Sequence, residues 1–249
     1  MFEDPFRFSQ MINWIFLKNL EVRFQEGIEN PEGYFDSTEL DEYRKFIVPK
    51  RKMEWLISRM LVKQLVASSF DPPLTLSPRL ITIRKMSSGV PYVEIDKSGR
   101  VGWLSLSHSN GGVFAAFSRK ESQHFGVDLE FIEERSPQLI ADYFTDSESR
   151  QVNSSQGEDI NFHANLIWSA KEAFLKAIEK GLQLDTRCIE IIGIKPKCGD
   201  SEWGNLEFKA EVNGSQAWRI LFRREAGFVL TLCIPADQQI GLARIIMEP

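Results

Sequence analysis

The stretch WSAKEAFLK, residues 168–176, has the spacing of an amphipathic helix and carries opposite charges one turn apart. Glu172 and Lys176 are four positions apart, so their side chains are neighbours on one helix face. Trp168 and Leu175 share much of that side and form part of an apolar stripe. The pattern predicts that the Glu–Lys pair lies at the border between the buried stripe and solvent.

The helix is predicted to cover residues 163–180 and to end at Gly181, because glycine is common just after a helix. Its Glu–Lys pair allows two interpretations. It is either a surface pair worth a few tenths of a kcal/mol, or a metal-binding carboxylate beside a lysine that reaches phosphate. The other lysine of the stretch, Lys171, is expected to be solvated.

The stretch GVDLE, residues 126–130, has the apolar character of a buried strand but contains two acids. Side chains two positions apart on a strand point to one face, so Asp128 and Glu130 project together. Two such carboxylates raise each other's pKa unless a cation lies between them, and Mg²⁺ favours oxygen ligands of this kind. A solvated strand end is the other interpretation, which the following Glu133 and Glu134 favour.

A third candidate is SLSHSNGG, residues 105–112, which is typical of a strand that enters a glycine-rich turn. Hydroxyl groups, an imidazole and exposed backbone N–H groups suit a phosphate. A Ser–His nucleophilic pair is disfavoured, because Ser107 and His108 are strand neighbours and point to opposite faces. A histidine that only satisfies local hydrogen bonds is the alternative.

Positive charge concentrates in the first half of a chain whose formal net charge is −5. A predicted helix over residues 51–70 carries four of these groups. Such a concentration suits a polyanionic small molecule, although a charged helix face is more commonly only solvated. The basic residues are Arg51, Lys52, Arg59, Lys63, Arg84 and Lys85.

The 249 residues, 43% hydrophobic and 26% charged, have the composition of a globular chain. Nucleic-acid binders usually show a basic excess, which this chain lacks, so that class of partner is disfavoured. No apolar run approaches the roughly 18 residues of a membrane span. Acidic residues rather than a cationic segment come first. We therefore expect no membrane association and a cytoplasmic location.

The chain contains a faint internal repeat. The pairs Trp55–Lys63 and Trp168–Lys176 have the same internal spacing and are 113 residues apart. The strand-like stretches GGVFAAFS and GFVLTLCI resemble each other at a nearly equal offset. The shared offset favours duplication over a chance match.

Together these stretches resemble the 4'-phosphopantetheinyl transferases, in the longer, pseudo-dimeric group typified by the surfactin synthetase activator. That family carries Gly-Ile/Val-Asp-x-Glu on a strand and, further along, Trp-Ser/Thr-x-Lys-Glu-Ala/Ser-x-x-Lys on a helix. The resemblance covers roughly residues 45–185, where five motifs occur in the family's order. They are RKMEWLISR (51–59), SLSHS (105–109), GVDLE (126–130), YFTDSE (143–148) and WSAKEAFLK (168–176).

The resemblance implies an α/β (α+β) fold of two similar halves related by a pseudo-two-fold axis. Each half would pack a long helix on a mainly antiparallel sheet, with the active site in the cleft between them. Residues 1–122 would hold the coenzyme A-binding residues, and residues 123–249 the magnesium-binding and catalytic residues. A chain that supplies both walls of its site is expected to be a monomer.

The resemblance also implies transfer of the phosphopantetheine arm of coenzyme A to a serine of an apo acyl or peptidyl carrier protein, with release of 3',5'-ADP. Mg²⁺, for which Mn²⁺ can substitute, would be held by Asp128, Glu130 and Glu172. The catalytic residues would be Asp128, Glu172 and Lys176. Glu172, or a metal-ordered water beside it, would take the serine proton, and Lys176 would bind the pyrophosphate.

Coenzyme A would be bound by Arg51, Arg84, Lys85, Ser107, His108 and Lys176. The basic residue that often precedes the proline of the first half is Val90 here, in SGVPY. One phosphate contact is therefore expected to be missing unless Arg84 or Lys85 supplies it. Because both this chain and carrier proteins are acidic, docking is expected to need a local basic and apolar patch.

Two other functions stay open from the residues. A non-catalytic protein of the same fold would hold coenzyme A or a carrier domain, although the presence of all three carboxylates and Lys176 argues against it. An unrelated Mg²⁺-dependent phosphotransferase or nucleotide hydrolase would act without a carrier. The sequence has no P-loop or Rossmann glycine pattern to support that class.

Overall fold

The computed structural model describes residues 11–18, 28–96, 98–196, 202–212, 216–237 and 239–246. The chain divides into two compact units. The first runs to Gln123 and also takes in the segment from Gln239, and the second is His124–Gln238. The sequence-based division after residue 122 lies one residue from the structural one. The C-terminal segment, which that division places in the second half, packs with the first unit.

The described residues form eleven strands. They are β1 (Met11–Lys18), β2 (Ile81–Lys85), β3 (Pro91–Ile95), β4 (Trp103–Ser109), β5 (Gly112–Ser118), β6 (Gly126–Phe131), β7 (Ile189–Lys195), β8 (Gly204–Ala210), β9 (Trp218–Glu225), β10 (Phe228–Pro235) and β11 (Gly241–Arg244). The first unit has a sheet in the order β11-β1-β5-β4 and a separate β2-β3 hairpin. The second has one antiparallel sheet in the order β6-β10-β9-β8-β7.

Five α-helices lie in the same described part of the chain. They are α1 (Ser37–Arg44), α2 (Pro49–Ser68), α3 (Pro137–Tyr143), α4 (Asp146–Ser154) and α5 (Glu158–Ala177). The two helices of 20 residues, α2 and α5, each pack on the strands of their own unit. Each unit has its own apolar core built on its long helix. The mixed α/β class predicted from the sequence is confirmed, and the pseudo-two-fold axis stays a prediction.

The short helices α1 and α4 begin with the same device, a capping box. Asp36 caps α1 and exchanges side-chain to backbone hydrogen bonds with Glu39, and Thr145 does the same with Glu148 in α4. Such boxes satisfy two backbone N–H groups that a helix start leaves without partners. Both glutamates are almost wholly buried, so each also brings a carboxylate into the interior of its unit.

The turn predicted after SLSHS is confirmed, and the same unit contains a second hairpin. β4 and β5 are joined at Asn110 and Gly111, whose φ angles are 42° and 74°. Positive φ at both positions suits a two-residue type I′ turn, whose twist matches that of the flanking strands. β2 and β3 are joined through the Ser-Ser-Gly turn, where the N–H of Met86 donates to the carbonyl of Val90. Strand β11 was not predicted, because its partner β1 is more than two hundred residues away in sequence.

Two boundaries of the long second helix were wrong. The helix was predicted to begin at residue 163, yet α5 begins at Glu158, close behind the end of α4 at Ser154. Phe162, in this earlier part of α5, packs against the core of the second unit, which keeps the chain helical there. The helix ends at Ala177 rather than at Gly181, which opens a short 3₁₀ turn instead. No helix in the described ranges is long and apolar enough to span a bilayer.

Candidate active site

Gly126 lets helix α5 lie directly on strand β6. A Cβ at this position would be 2.0 Å from the carbonyl oxygen of Ala173 and 2.5 Å from the amide nitrogen of Ala177. Both are backbone atoms, so no side-chain movement would relieve the clash. The glycine of the GVDLE stretch is therefore required for close packing between the strand and the helix, and this packing brings their charged residues together.

Lys176 and Asp128 form an ion pair across this contact. The Lys176 Nζ donates to Asp128 Oδ1 at 2.7 Å. The aspartate side chain is 5% exposed, and the lysine side chain is 28% exposed. Two residues 48 positions apart in the chain thus share one charged, partly shielded site, in which water screens their attraction only weakly.

Glu130 is held by two protein donors. Its Oε1 accepts from the indole Nε1 of Trp168 at 2.9 Å, and its Oε2 accepts from the Arg135 guanidinium. Arg135 also donates to Asn165 Oδ1 at 2.6 Å, which orients the guanidinium from its other side. Burial raises the pKa of Glu130, the charge of Asp128 raises it further, and the bonds from Arg135 and Trp168 oppose this.

Glu172 is a half-buried carboxylate whose pKa is raised to about 7. Burial is the largest cause, followed by the negative charge of Asp128, and Glu130 adds a smaller effect of the same sign. Lys176 opposes the shift. A carboxylate with a pKa near neutrality suits proton transfer, because both of its protonation states are populated at working pH.

The three carboxylates suit a hard divalent cation by their chemistry. Mutual repulsion among Asp128, Glu130 and Glu172, visible in the raised pKa of Glu172, is what a bound cation would relieve. Within the part of the chain that the structure describes, no three His, Cys, Asp or Glu side chains already converge as a metal site. Lys176 binds Asp128, and Arg135 binds Glu130. Occupancy by a metal would therefore require these contacts to rearrange.

Sequence reasoning missed two residues of this site. Trp168 was assigned only to the apolar stripe, but its indole N–H binds Glu130 and its ring packs edge-on against Tyr143. A tryptophan near a candidate carboxylate is a usable signal, since a buried indole N–H needs an acceptor. Arg135 follows two glutamates in a loop, and no local pattern singles it out.

The phosphate-binding candidates of the first unit lie on three elements, α2, β2 and β4. Ser107 is buried and His108 is exposed in β4, so the two side chains point to opposite faces as predicted. Arg51 is exposed in the first turn of α2. His108 and Arg51 therefore present their charged or polar ends to solvent, whereas Ser107 does not.

Arg84 and Lys85 at the end of β2 are bound to acids of their own unit. Arg84 makes a two-pronged contact with Asp36, with the shorter Nη2–Oδ2 distance at 2.5 Å, and its Nε donates to Glu94 at 3.4 Å. Lys85 is half exposed and binds Glu42 at 3.0 Å. A phosphate would share these cations with the carboxylates.

Three basic residues do not behave as the sequence indicated. Arg59 and Lys63, expected on a basic helix face, are 4% and 2% exposed and pair with Glu42 and Glu39. Lys171, expected to be solvated, is 0% exposed and pairs with Glu148. Burial lowers the pKa of all three, and the paired carboxylates oppose this. None of them is available to a ligand in solution.

Part of the sequence matches the model of a known family. The model of the 4'-phosphopantetheinyl transferase superfamily matches residues 124–233, which is nearly the whole second unit. A Synechocystis protein that is provisionally named a 4'-phosphopantetheinyl transferase is 26% identical over 191 residues, covering 76% of this chain and 72% of the relative.

Two further relatives extend the match. The 4'-phosphopantetheinyl transferase ffp of Bacillus subtilis is 23% identical over 64% of this chain and 67% of its own length. The 4'-phosphopantetheinyl transferase gsp of Aneurinibacillus migulanus is 25% identical over 56% of this chain and 54% of its own. Fold and site thus define a mixed α/β protein with a carboxylate–lysine centre. Residues 124–233 match the 4'-phosphopantetheinyl transferase superfamily, and the motifs GVDLE and WSAKEAFLK, which carry the predicted resemblance, lie inside that range.

Proposed function

We propose that this chain transfers the phosphopantetheine arm of coenzyme A to a serine of an apo acyl or peptidyl carrier protein, with release of 3',5'-ADP. The observation that carries the proposal is the electrostatic coupling of Asp128, Glu130, Glu172 and Lys176 across the contact between β6 and α5. Lys176 binds Asp128, and the charges of Asp128 and Glu130 act on Glu172. The names of the relatives support the same reaction.

The residues of the second unit have separate roles in the proposed reaction. Asp128, Glu130 and Glu172 would hold Mg²⁺, which supplies positive charge to a reacting pyrophosphate when it is bound. Glu172, or a water beside it, takes the proton of the attacking serine, because a positioned carboxylate is a suitable general base. Lys176 binds a pyrophosphate oxygen and stabilises the negative charge that grows on the leaving ADP.

The residues of the first unit bind the nucleotide part of coenzyme A. The exposed Arg51 and His108 offer positive or hydrogen-bonding ends to a phosphate, and Arg84 and Lys85 add charge at the end of β2. Ser107 contributes from a more buried position. That all these residues serve one coenzyme A molecule is part of the proposal, as are a monomeric state and a cytoplasmic location.

The proposal is tested by incubating the protein with coenzyme A, Mg²⁺ and a panel of apo carrier proteins, and by weighing each carrier by mass spectrometry. We expect a mass gain of one phosphopantetheine arm on at least one carrier. Asp128→Ala and Glu172→Ala should each lower the rate by roughly a hundredfold or more. Glu134→Gln is the matched control, because Glu134 is an exposed acid just beyond the same strand.

The outcomes separate the alternatives. Binding of coenzyme A with no mass gain on any carrier would point to a non-catalytic binding protein. Nucleotide turnover without a carrier would point to a hydrolase. Near wild-type transfer in either alanine variant would refute the role assigned to that carboxylate.

A further inference from the structure

A buried ion pair lies one residue along the chain from Glu172. The Nζ of Lys171 is 2.8 Å from Glu148 Oε2, and both side chains are 0% exposed. The same Nζ donates to the backbone carbonyls of Thr186 at 2.9 Å and Ile189 at 2.7 Å. An ammonium group has three N–H donors, so Lys171 has one acceptor for each of them.

Glu148 is held as firmly as its partner. Its Oε2 accepts from the backbone N–H of Thr145, and its Oε1 accepts from the backbone N–H of Ile191, both at 2.8 Å. The carboxylate therefore joins the start of α4 to β7, and through Lys171 it joins both to α5. Three elements of the second unit meet at one charged contact.

This contact constrains how α5 is rotated about its own axis. Successive residues of an α-helix are about 100° apart around the axis, so fixing the direction of Lys171 fixes the direction of Glu172. Lys176, five positions further on the same helix, is oriented with it. A buried ion pair contributes little net stability compared with a well-packed apolar pair, but it accepts only one geometry.

We propose that Glu148 and Lys171 are positioning residues of the active site: their ion pair sets the rotation of α5 that directs Glu172 and Lys176 toward Asp128. The inference rests on the proposed function, in which Glu172 and Asp128 bind the metal. Neither Glu148 nor Lys171 touches substrate or metal in this scheme, and both act through their neighbours.

The first unit contains an equivalent buried Lys–Glu ion pair, but no carboxylate directly follows its lysine in the chain. Lys63 Nζ is 2.7 Å from Glu39 Oε2 and donates to the carbonyls of Tyr34 at 2.8 Å and Pro78 at 3.1 Å. Glu39 Oε1 accepts from the N–H of Ile83 at 3.1 Å. Each lysine thus lies in a long helix and binds the N3 glutamate of a capping box.

The matching environments favour a different register for the predicted internal repeat. Lys63 corresponds to Lys171, an offset of 108 positions (171 minus 63), and not to Lys176 at 113 as the tryptophan spacing indicated. The residue after Lys63 is Gln64, an exposed amide where the second unit has Glu172. The first unit therefore provides a control. The equivalent ion pair can be removed there, and the residue next to its lysine is not a candidate metal ligand.

The test compares two double variants, Glu148→Gln with Lys171→Met and Glu39→Gln with Lys63→Met. Each removes both charges together and keeps side-chain size, so no uncompensated charge stays buried. The measurements are Mn²⁺ affinity by isothermal titration calorimetry, kcat and KM for coenzyme A, and unfolding in urea. We expect the first pair of changes to weaken Mn²⁺ binding by at least about tenfold and to lower kcat by at least about tenfold, because loss of a partner that orients a metal ligand has effects of this size. KM for coenzyme A should stay nearly unchanged.

The control pair should lower the urea midpoint similarly but leave Mn²⁺ affinity within about threefold of wild type. Equal Mn²⁺ affinity in all three proteins, or an equal loss in both variants, would overturn the inference. If the first double variant does not fold, the same criteria apply to Glu148→Gln alone, which preserves side-chain shape and keeps one of the two accepting oxygens. A wild-type protein that transfers no arm and binds no Mn²⁺ would instead refute the proposed function.

Discussion

Lys176 Nζ lies 2.7 Å from Asp128 Oδ1, so a cation on helix α5 directly neutralises an acid on strand β6. In the proposed reaction the positive charge of Lys176 binds the pyrophosphate and stabilises the charge that grows on it. Lys176→Met should therefore lower kcat by roughly a hundredfold, the loss typical of one charge-stabilising donor. The transfer rate at saturating coenzyme A is the measurement.

The matched control for this change is Lys180→Met, an exposed lysine just beyond the same helix. It should transfer at the wild-type rate. Because Lys176 opposes the raised pKa of Glu172, its removal should also move the lower limb of the rate–pH profile to higher pH. An unshifted limb in Lys176→Met would contradict the electrostatic link between the two residues.

The pKa of Glu172 predicts how stability depends on pH. Its pKa is raised from 4.5 to about 7, so between these values the folded protein holds a proton that the unfolded chain has released. The free energy of unfolding therefore decreases as pH rises through this window. The contribution of this one group is at most about 3 kcal/mol, before screening by water at a half-buried site.

The measurement is urea unfolding in EDTA from pH 4.5 to pH 8. Glu172→Gln should flatten the decline, and the variant should exceed the wild type in stability at pH 8 but not at pH 4.5. Glu130, whose pKa is also raised, leaves a residual slope of the same sign. If the free energy of unfolding of Glu172→Gln declined with pH as steeply as that of the wild type, the titration of Glu172 would not be the cause of the pH dependence.

Gly126→Ala should disturb the site through the backbone. The new Cβ would overlap the backbone of α5 at Ala173 and Ala177, so the helix must move away from β6. We expect a loss of about 3 kcal/mol, at the upper end for overpacking, and a weakened Lys176–Asp128 contact. Urea unfolding and transfer rate are the measurements. Gly33→Ala, where a Cβ meets nothing closer than 3.5 Å, should leave both unchanged.

Val90 occupies the place at which the family often has a basic residue. It lies in the turn between β2 and β3, close in sequence to Arg84 and Lys85. If a phosphate contact is missing there, Val90→Lys should tighten coenzyme A binding by roughly threefold, the gain of one exposed charge pair. Val90→Met, which has similar length and no charge, is the control. Equal dissociation constants for the two variants would show that no contact was missing.

Local patterns were sufficient to predict most of the elements. Helix α5 and strand β6 follow from the spacing of apolar residues in WSAKEAFLK and GVDLE, and the β4–β5 hairpin follows from Asn110 and Gly111. Those signals are local because helix and strand periods act over neighbouring residues. β11 was missed because its pairing with β1 depends on chain segments that are distant in sequence.

The sequence by itself determined which residue types are present at the site. They are three acids and a lysine, carried by one strand and one helix, and the glycine that lets the strand and the helix touch. Only the tertiary structure decided which cation binds which acid. Lys63 and Lys171, which look solvated in sequence, are buried on Glu39 and Glu148, and Arg135, without any local signal, binds Glu130. The reason is physical: Coulomb attraction and desolvation depend on distance and burial in space, and neither quantity is encoded by spacing along the chain.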